Sequence, residues 1–138
     1  MSAWRSHLRA APLFLLVLVA GCAQRNPAEE AIYGSANLLA REVEGVPAFH
    51  RGQLGAAGVN YLRDGMERRG DEVLDSEVLP GEDVSGHVLG WIDARFTRQA
   101  QSGLIAKKDL TATLCLRFEV RWSDSDGGSI AYHERACP

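Results

Sequence analysis

The chain is expected to fold as α+β, with one or two helices packed on a small, mainly antiparallel sheet that ends in a β-hairpin. Three observations lead there. Before residue 70, two stretches repeat apolar residues at helical spacing. Beyond it the repeat changes to every second position, most clearly from Leu110 to Trp122. There one face is apolar and the other polar, as in an antiparallel sheet wetted on one side.

The N-terminal stretch comes first. Arg5 and Arg9 precede an apolar run, Ala10 to Ala20, and small residues follow. That order is the anatomy of a secretory signal. The run is about half of the roughly 20 residues a bilayer span requires, and Pro12 interrupts its start, so a spanning helix is not expected. The ending Leu18-Val19-Ala20-Gly21-Cys22 resembles the lipobox of bacterial lipoproteins. The resemblance implies removal of residues 1–21 as signal peptide and acylation of Cys22. It also implies a lipidated tether over 22–25 and a cell-envelope location. Two or more acyl chains make such an anchor stable. Ala23, where a retention signal has Asp, implies the outer membrane facing the periplasm if the cell is Gram-negative. An ordinary cleaved signal with an incidental cysteine is the alternative.

Residues 26–138 then form a single domain. Asn26 can cap a helix, Pro27 suits its first position, and Glu29 stands where a capping-box carboxylate belongs. Ile32, Ala36, Leu39 and Val43 follow at helical spacing, and Gly45 ends the run. A strand over 31–40 competes, because Gly34 weakens a helix interior. A second helix is expected from Gln53 to Arg69, with Leu54, Ala57, Gly58, Tyr61, Leu62 and Gly65 inward and Arg63 among the residues facing away. Its small residues Gly55, Ala57 and Gly58 suit either a helix-pairing face or a flat side laid on a sheet. Gly70 is the stop.

A short strand is read in Asp71 to Leu79, and a turn at Pro80-Gly81-Glu82-Asp83. In the next strand Val88, Gly90, Ile92, Ala94 and Phe96 share one face, with Leu89, Trp91, Asp93 and Arg95 on the other. Gln99 to Lys108 reads as a long turn. After the strand Leu110–Trp122, residues 123–128 turn the chain and Ser129–Ala136 returns.

The precursor carries a net charge of −3, and loss of Arg5 and Arg9 with the signal would make it −5. Such a chain has no electrostatic footprint for nucleic acid. With Cys22 committed to lipid, Cys115 and Cys137 remain as an even pair, and an exported protein is expected to bond them. Pairing Trp122 with Ile130 and Val120 with Tyr132 keeps the apolar residues on one face. It leaves Ser125-Asp126-Gly127 as a loop with Gly127 left-handed. Carried downward, this register sets Cys115 opposite Cys137, Phe118 opposite Glu134 and Arg117 opposite Arg135.

From Gln53 onward the order of elements is helix, short strand, two long strands, Asp/Gly turn, strand. The stretches Tyr61–Val73, Gly86–Ile92 and Phe118–Asp124 carry that order. It resembles small periplasmic accessory lipoproteins of the curli-pore, lipopolysaccharide-transport and penicillin-binding-protein-activator types. The resemblance concerns element order and implies no site residues.

Chemistry is sparse in the sequence. Asp124-Ser125-Asp126-Gly127-Gly128 starts like a calcium loop but lacks its closing ligands, and a hairpin turn needs the same residues. His50, His87 and His133 are scattered, so no metal or other cofactor is expected. No phosphate-binding glycine loop or nucleophile elbow occurs. The chain therefore reads as a non-enzymatic accessory or adaptor for an envelope protein partner. A small-ligand-binding lipoprotein and an unrecognised hydrolase are the alternatives. Leu89 and Trp91 are the candidate partner-binding residues if helices cover only the other sheet face; loops or the first helix folding over them would make them core. For Arg117, Arg121 and Arg135 two readings stand: a cluster gathered on the polar side of the hairpin, or a solvated face interrupted by Glu119.

Overall fold

A computed structural model describes residues 26–46, 54–79, 88–123 and 127–138. Cys22 with its signal and tether, His50, His87, the Pro80–Asp83 turn and Asp124–Asp126 lie outside the described residues. The order is α1 (Pro27–Glu44), α2 (Leu54–Arg68), β1 (Glu72–Val78), β2 (Val88–Ser102), β3 (Lys108–Ser123) and β4 (Gly127–Arg135). Both helices pack on a four-stranded antiparallel sheet with strand order β1-β2-β3-β4, which is the α+β architecture read from the sequence.

The helical reading of residues 31–40 is the correct one. Asn26 Oδ1 accepts the Ala28 N–H at 2.9 Å, and Pro27 occupies the first turn. Ile32, Ala36, Leu39 and Val43 are all buried. α2 departs from the expected stripe. Its buried face includes Val59 and Met66 beside Leu62, whereas Tyr61 is only partly buried. Arg63, expected to face away, reaches over β1 and donates to Ser76 Oγ. The helix is rotated because Gly55 lies directly on the backbone of Leu89, where a Cβ would stand 2.5 Å from its carbonyl oxygen. Gly55 thus serves close approach to the sheet, whereas Gly65 lies against Leu39 of α1.

The space between helices and sheet is filled by Ile32, Leu39, Leu62, Met66, Phe96 and Phe118, all essentially inaccessible. Each such side chain contributes on the order of 1.5–3 kcal/mol. Phe118 stacks obliquely between Phe96 and Tyr132, with ring centres 5.9 and 5.3 Å away. Polar clasps fasten α1 over this core. Asp71, whose side chain is fully buried, accepts from Arg98 at 2.6 and 3.1 Å, and Arg98 donates onward to Ser35 of α1. Tyr132 donates to Asn37 at 2.8 Å, and the Ile130 N–H donates to Glu44 at 2.8 Å.

Two expectations about the sheet are corrected. The turn placed at Gln99–Lys108 is mostly strand: β2 and β3 stay paired out to Ser102 and Lys108, leaving only residues 103–107 to turn. The Thr97–Thr113 hydroxyl pair and the Gln101–Asp109 hydrogen bond join these polar ends, so pairing continues beyond the apolar core. The terminal hairpin is also slipped by two residues from the expected register. Phe118 faces Tyr132 rather than Glu134, Val120 faces Ile130, and Cys115 faces Arg135. A two-residue slip keeps every side chain on its face. It exchanges an aromatic–carboxylate pairing for an aromatic–aromatic one. Ser123 pairs with Gly127, whose φ of 74° is left-handed as expected. Cys115 and Cys137 are bonded diagonally, with Cα atoms 5.2 Å apart.

Candidate functional site

Alternation along β2 and β3 sends Ile92, Ala94, Phe96, Leu116 and Phe118 toward the helices. It sends Trp91, Asp93, Arg117 and Glu119 to the opposite face. On that face, pairing sets Asp93 directly across from Arg117. Asp93 is only 9% exposed, although it lies on the side the helices do not cover. Its cover is made of arginines. Arg117 grips it as a fork, Nε to Oδ1 at 2.7 Å and Nη2 to Oδ2 at 2.8 Å, and Arg135 donates from β4 to the same Oδ2. A two-pronged guanidinium–carboxylate bond fixes direction as well as distance.

The fork in turn aims Arg117. Its Cζ lies 3.8 Å from the centre of the Trp91 ring, a close cation–π stack. The Asp93 hydrogen bond holds the Arg117 pKa above the ordinary arginine value. Trp91 stays half-buried. Around this centre Arg121 pairs with Glu119, and Arg95 with Glu72 at 2.6 Å. Arg117 and Arg135 therefore do gather, while Arg121 is engaged elsewhere.

A cleft of about 530 Å³ adjoins Asp93, Arg117 and Arg135, with Leu74 and Asp75 on its β1 side. Its other wall is the segment Ala136–Pro138, which follows the last strand residue. The disulfide pins that segment to β3, and Arg95 donates to the Pro138 carbonyl at 3.3 Å. Chemically the arrangement offers a flat aromatic–guanidinium surface and a second, more exposed guanidinium at the mouth of a shallow cleft. Asp93's two oxygens are engaged by arginines, so its evident work is to hold cations in place.

The two candidate partner residues separate here. Trp91 is at the centre of the open face. Leu89 is not: it is 5% exposed and belongs to the core under α2. The cause is an irregularity in pairing, since Val88 faces Arg121 but Gly90 already faces Val120. The extra residue breaks alternation, as a bulge does. Leu89 thereby turns to the helix side, next to Gly55. Asp93 is the organising residue that sequence reasoning missed. The available signal was its place between Trp91 and Arg95 on one strand face; its value emerges only with Arg117 set opposite.

Among the described residues, no group of three or more His, Cys, Asp or Glu side chains could hold a metal ion, and no helix is long and apolar enough to cross a membrane. Comparison with protein-family models, curated proteins and solved structures gives no significant match.

Proposed function

We propose that the protein is a lipid-anchored, non-enzymatic accessory of the bacterial cell envelope that holds a protein partner on its open sheet face. The observation that carries this reading is the Trp91–Arg117 stack locked by Asp93. Tryptophan and arginine are the residue types that dominate binding energy at protein interfaces, and a pre-aimed arginine loses little freedom on docking. The Leu18–Cys22 lipobox supports attachment through Cys22. The Cys115–Cys137 bond suits an oxidising compartment such as the periplasm. Ala23 supports the outer membrane in a Gram-negative cell.

The test has two arms. Cys22→Ser should abolish lipid modification and release the protein from the membrane fraction; a Ser variant as fully membrane-bound and processed as the parent refutes the anchor. Trp91→Ala should reduce recovery of an envelope protein captured by the parent from its own membranes, with less than about 1.5 kcal/mol of stability lost at this half-buried site. A large stability loss without a selective binding defect would make Trp91 a structural residue.

A second reading, capture of a small ligand, is favoured by the cleft beside Arg135. An anionic ligand would suit its two guanidiniums, and such a ligand co-purifying with the parent but not with Arg135→Ala would favour it over the protein partner.

A further inference from the structure

The far end of the β2–β3 hairpin carries two side chains that the fold leaves wholly in water. Leu104 is 102% exposed and Ile105 101%, whereas the other exposed large apolar residues described, Leu38 and Val78, are 59% and 46% exposed. Both belong to the five-residue turn 103–107, and strand pairing holds to its base at Ser102 and Lys108. Lys107 and Lys108 follow after Ala106. An apolar pair backed by lysines suits a bilayer interface: the apolar groups enter the acyl boundary and the cations stay among anionic headgroups. Asp109, the nearest acid along the strand, accepts from Gln101 at 3.1 Å.

Position in the fold selects the membrane as occupant. Asn26, Pro27 and Glu30, at the start of α1, share a cleft of about 580 Å³ with Gln101, Ser102, Gly103 and Leu110 at the base of this turn. Cys22 is four residues before Asn26. At about 3.5 Å per extended residue, that tether reaches on the order of 14 Å. A lipid on Cys22 and the Leu104–Ile105 tip therefore serve the same end of the molecule. We propose that Leu104 and Ile105 insert into the interface of the bilayer that holds Cys22, as a second contact that sets the domain upright. The inference rests on the lipid-anchor reading. Trp91 lies eleven residues along β2 from Ser102. At roughly 3.3 Å per residue the binding face would stand on the order of 35 Å above the membrane.

The test uses the full chain, processed in its host and reconstituted in phosphatidylethanolamine–phosphatidylglycerol vesicles. Trp91 and Trp122 lie toward the opposite end of the hairpin from the tip, so parent emission should be indifferent to lipids brominated near the headgroup. Leu104→Trp and Ile105→Trp should each add a blue-shifted emission that those lipids quench, and Lys107→Glu/Lys108→Glu in the same background should weaken the quenching. Intact mass read on the same sample reports the lipid on Cys22. Lipid present with unquenched tip emission overturns the insertion and leaves the anchor standing. Blue-shifted emission without lipid quenching assigns the tip to a protein pocket or a second copy, and also overturns it. Absence of lipid on Cys22 refutes the anchor reading, and this inference falls with it.

Discussion

Replacing both hairpin cysteines, Cys115→Ala/Cys137→Ala, should cost close to 4 kcal/mol of stability. The bond closes a sequence separation of 22 residues. The loop-entropy relation gives about 3.4 kcal/mol for a ring of that size. Cys115 is 3% exposed, so removing its sulfur leaves a small void worth about another 0.5–1 kcal/mol, while Cys137 is exposed and adds little. Urea unfolding followed by tryptophan fluorescence and by circular dichroism measures the loss directly. The denaturant slope should also rise slightly, because the variant's unfolded chain is no longer cross-linked and exposes more surface. Ala136 and Cys137 continue past the last strand pair, so their amides should exchange before those of β4. A loss below about 1 kcal/mol would show that the cross-link does not restrain the unfolded chain as reasoned. Two alkylatable thiols in the unreduced, unfolded protein would show that it does not form.

Two further outcomes follow from the charged contacts. Asp93→Asn removes the carboxylate shared by Arg117 and Arg135; its side chain is 12% exposed against 23% and 41% for theirs. The site lies between surface and core, so the expected loss is about 2 kcal/mol, with a change in Trp91 fluorescence as Arg117 leaves its ring. Unchanged stability and emission would refute the hub. Glu42 should titrate below the ordinary value of 4.5, because Arg69 donates to it at 2.7 Å. A depressed folded pKa means that this contact stabilises above the ordinary carboxylate value and is lost as pH falls through the folded one. An NMR titration of the Glu42 carboxyl should move up toward 4.5 in Arg69→Gln, and an unmoved midpoint would rule Arg69 out as the cause.

What could be read from residue order was local. Asn26, Pro27 and the spacing from Ile32 to Val43 specify α1 through contacts within a turn or two, and alternation from Leu110 to Trp122 specifies β3. The misreadings all depend on distant partners. Two registers of the terminal hairpin satisfy the apolar pattern, and the choice involves Phe118 meeting Tyr132, Tyr132 meeting Asn37, and Arg135 meeting Asp93. Gln99–Ser102 looks like a turn because Ala100 is its one apolar residue, yet it pairs because β3 runs beside it. Leu89 looks outward until α2 is laid on the sheet. The Trp91–Arg117–Asp93 assembly was hidden for the same reason: Trp91 and Asp93 are neighbours on β2, but Arg117 lies 24 residues beyond Asp93 and meets them only through β2–β3 pairing.

The hydrogen bond from Ile130 to Glu44 bears on how the protein behaves in a crowd. Open sheet margins are templates on which other chains can add strands. At the β4 margin, Glu44 already occupies an outward amide that an incoming strand would need. At the opposite margin β1 is seven residues long, its pairing is broken between Val73 and Asp75, and Glu72, Asp75 and Glu77 stud it with negative charge. Two copies meeting there would bring carboxylates together. Both margins thus discourage copies from joining sheet to sheet, so molecules at high density can stay separate, with the sheet face opposite the helices left free.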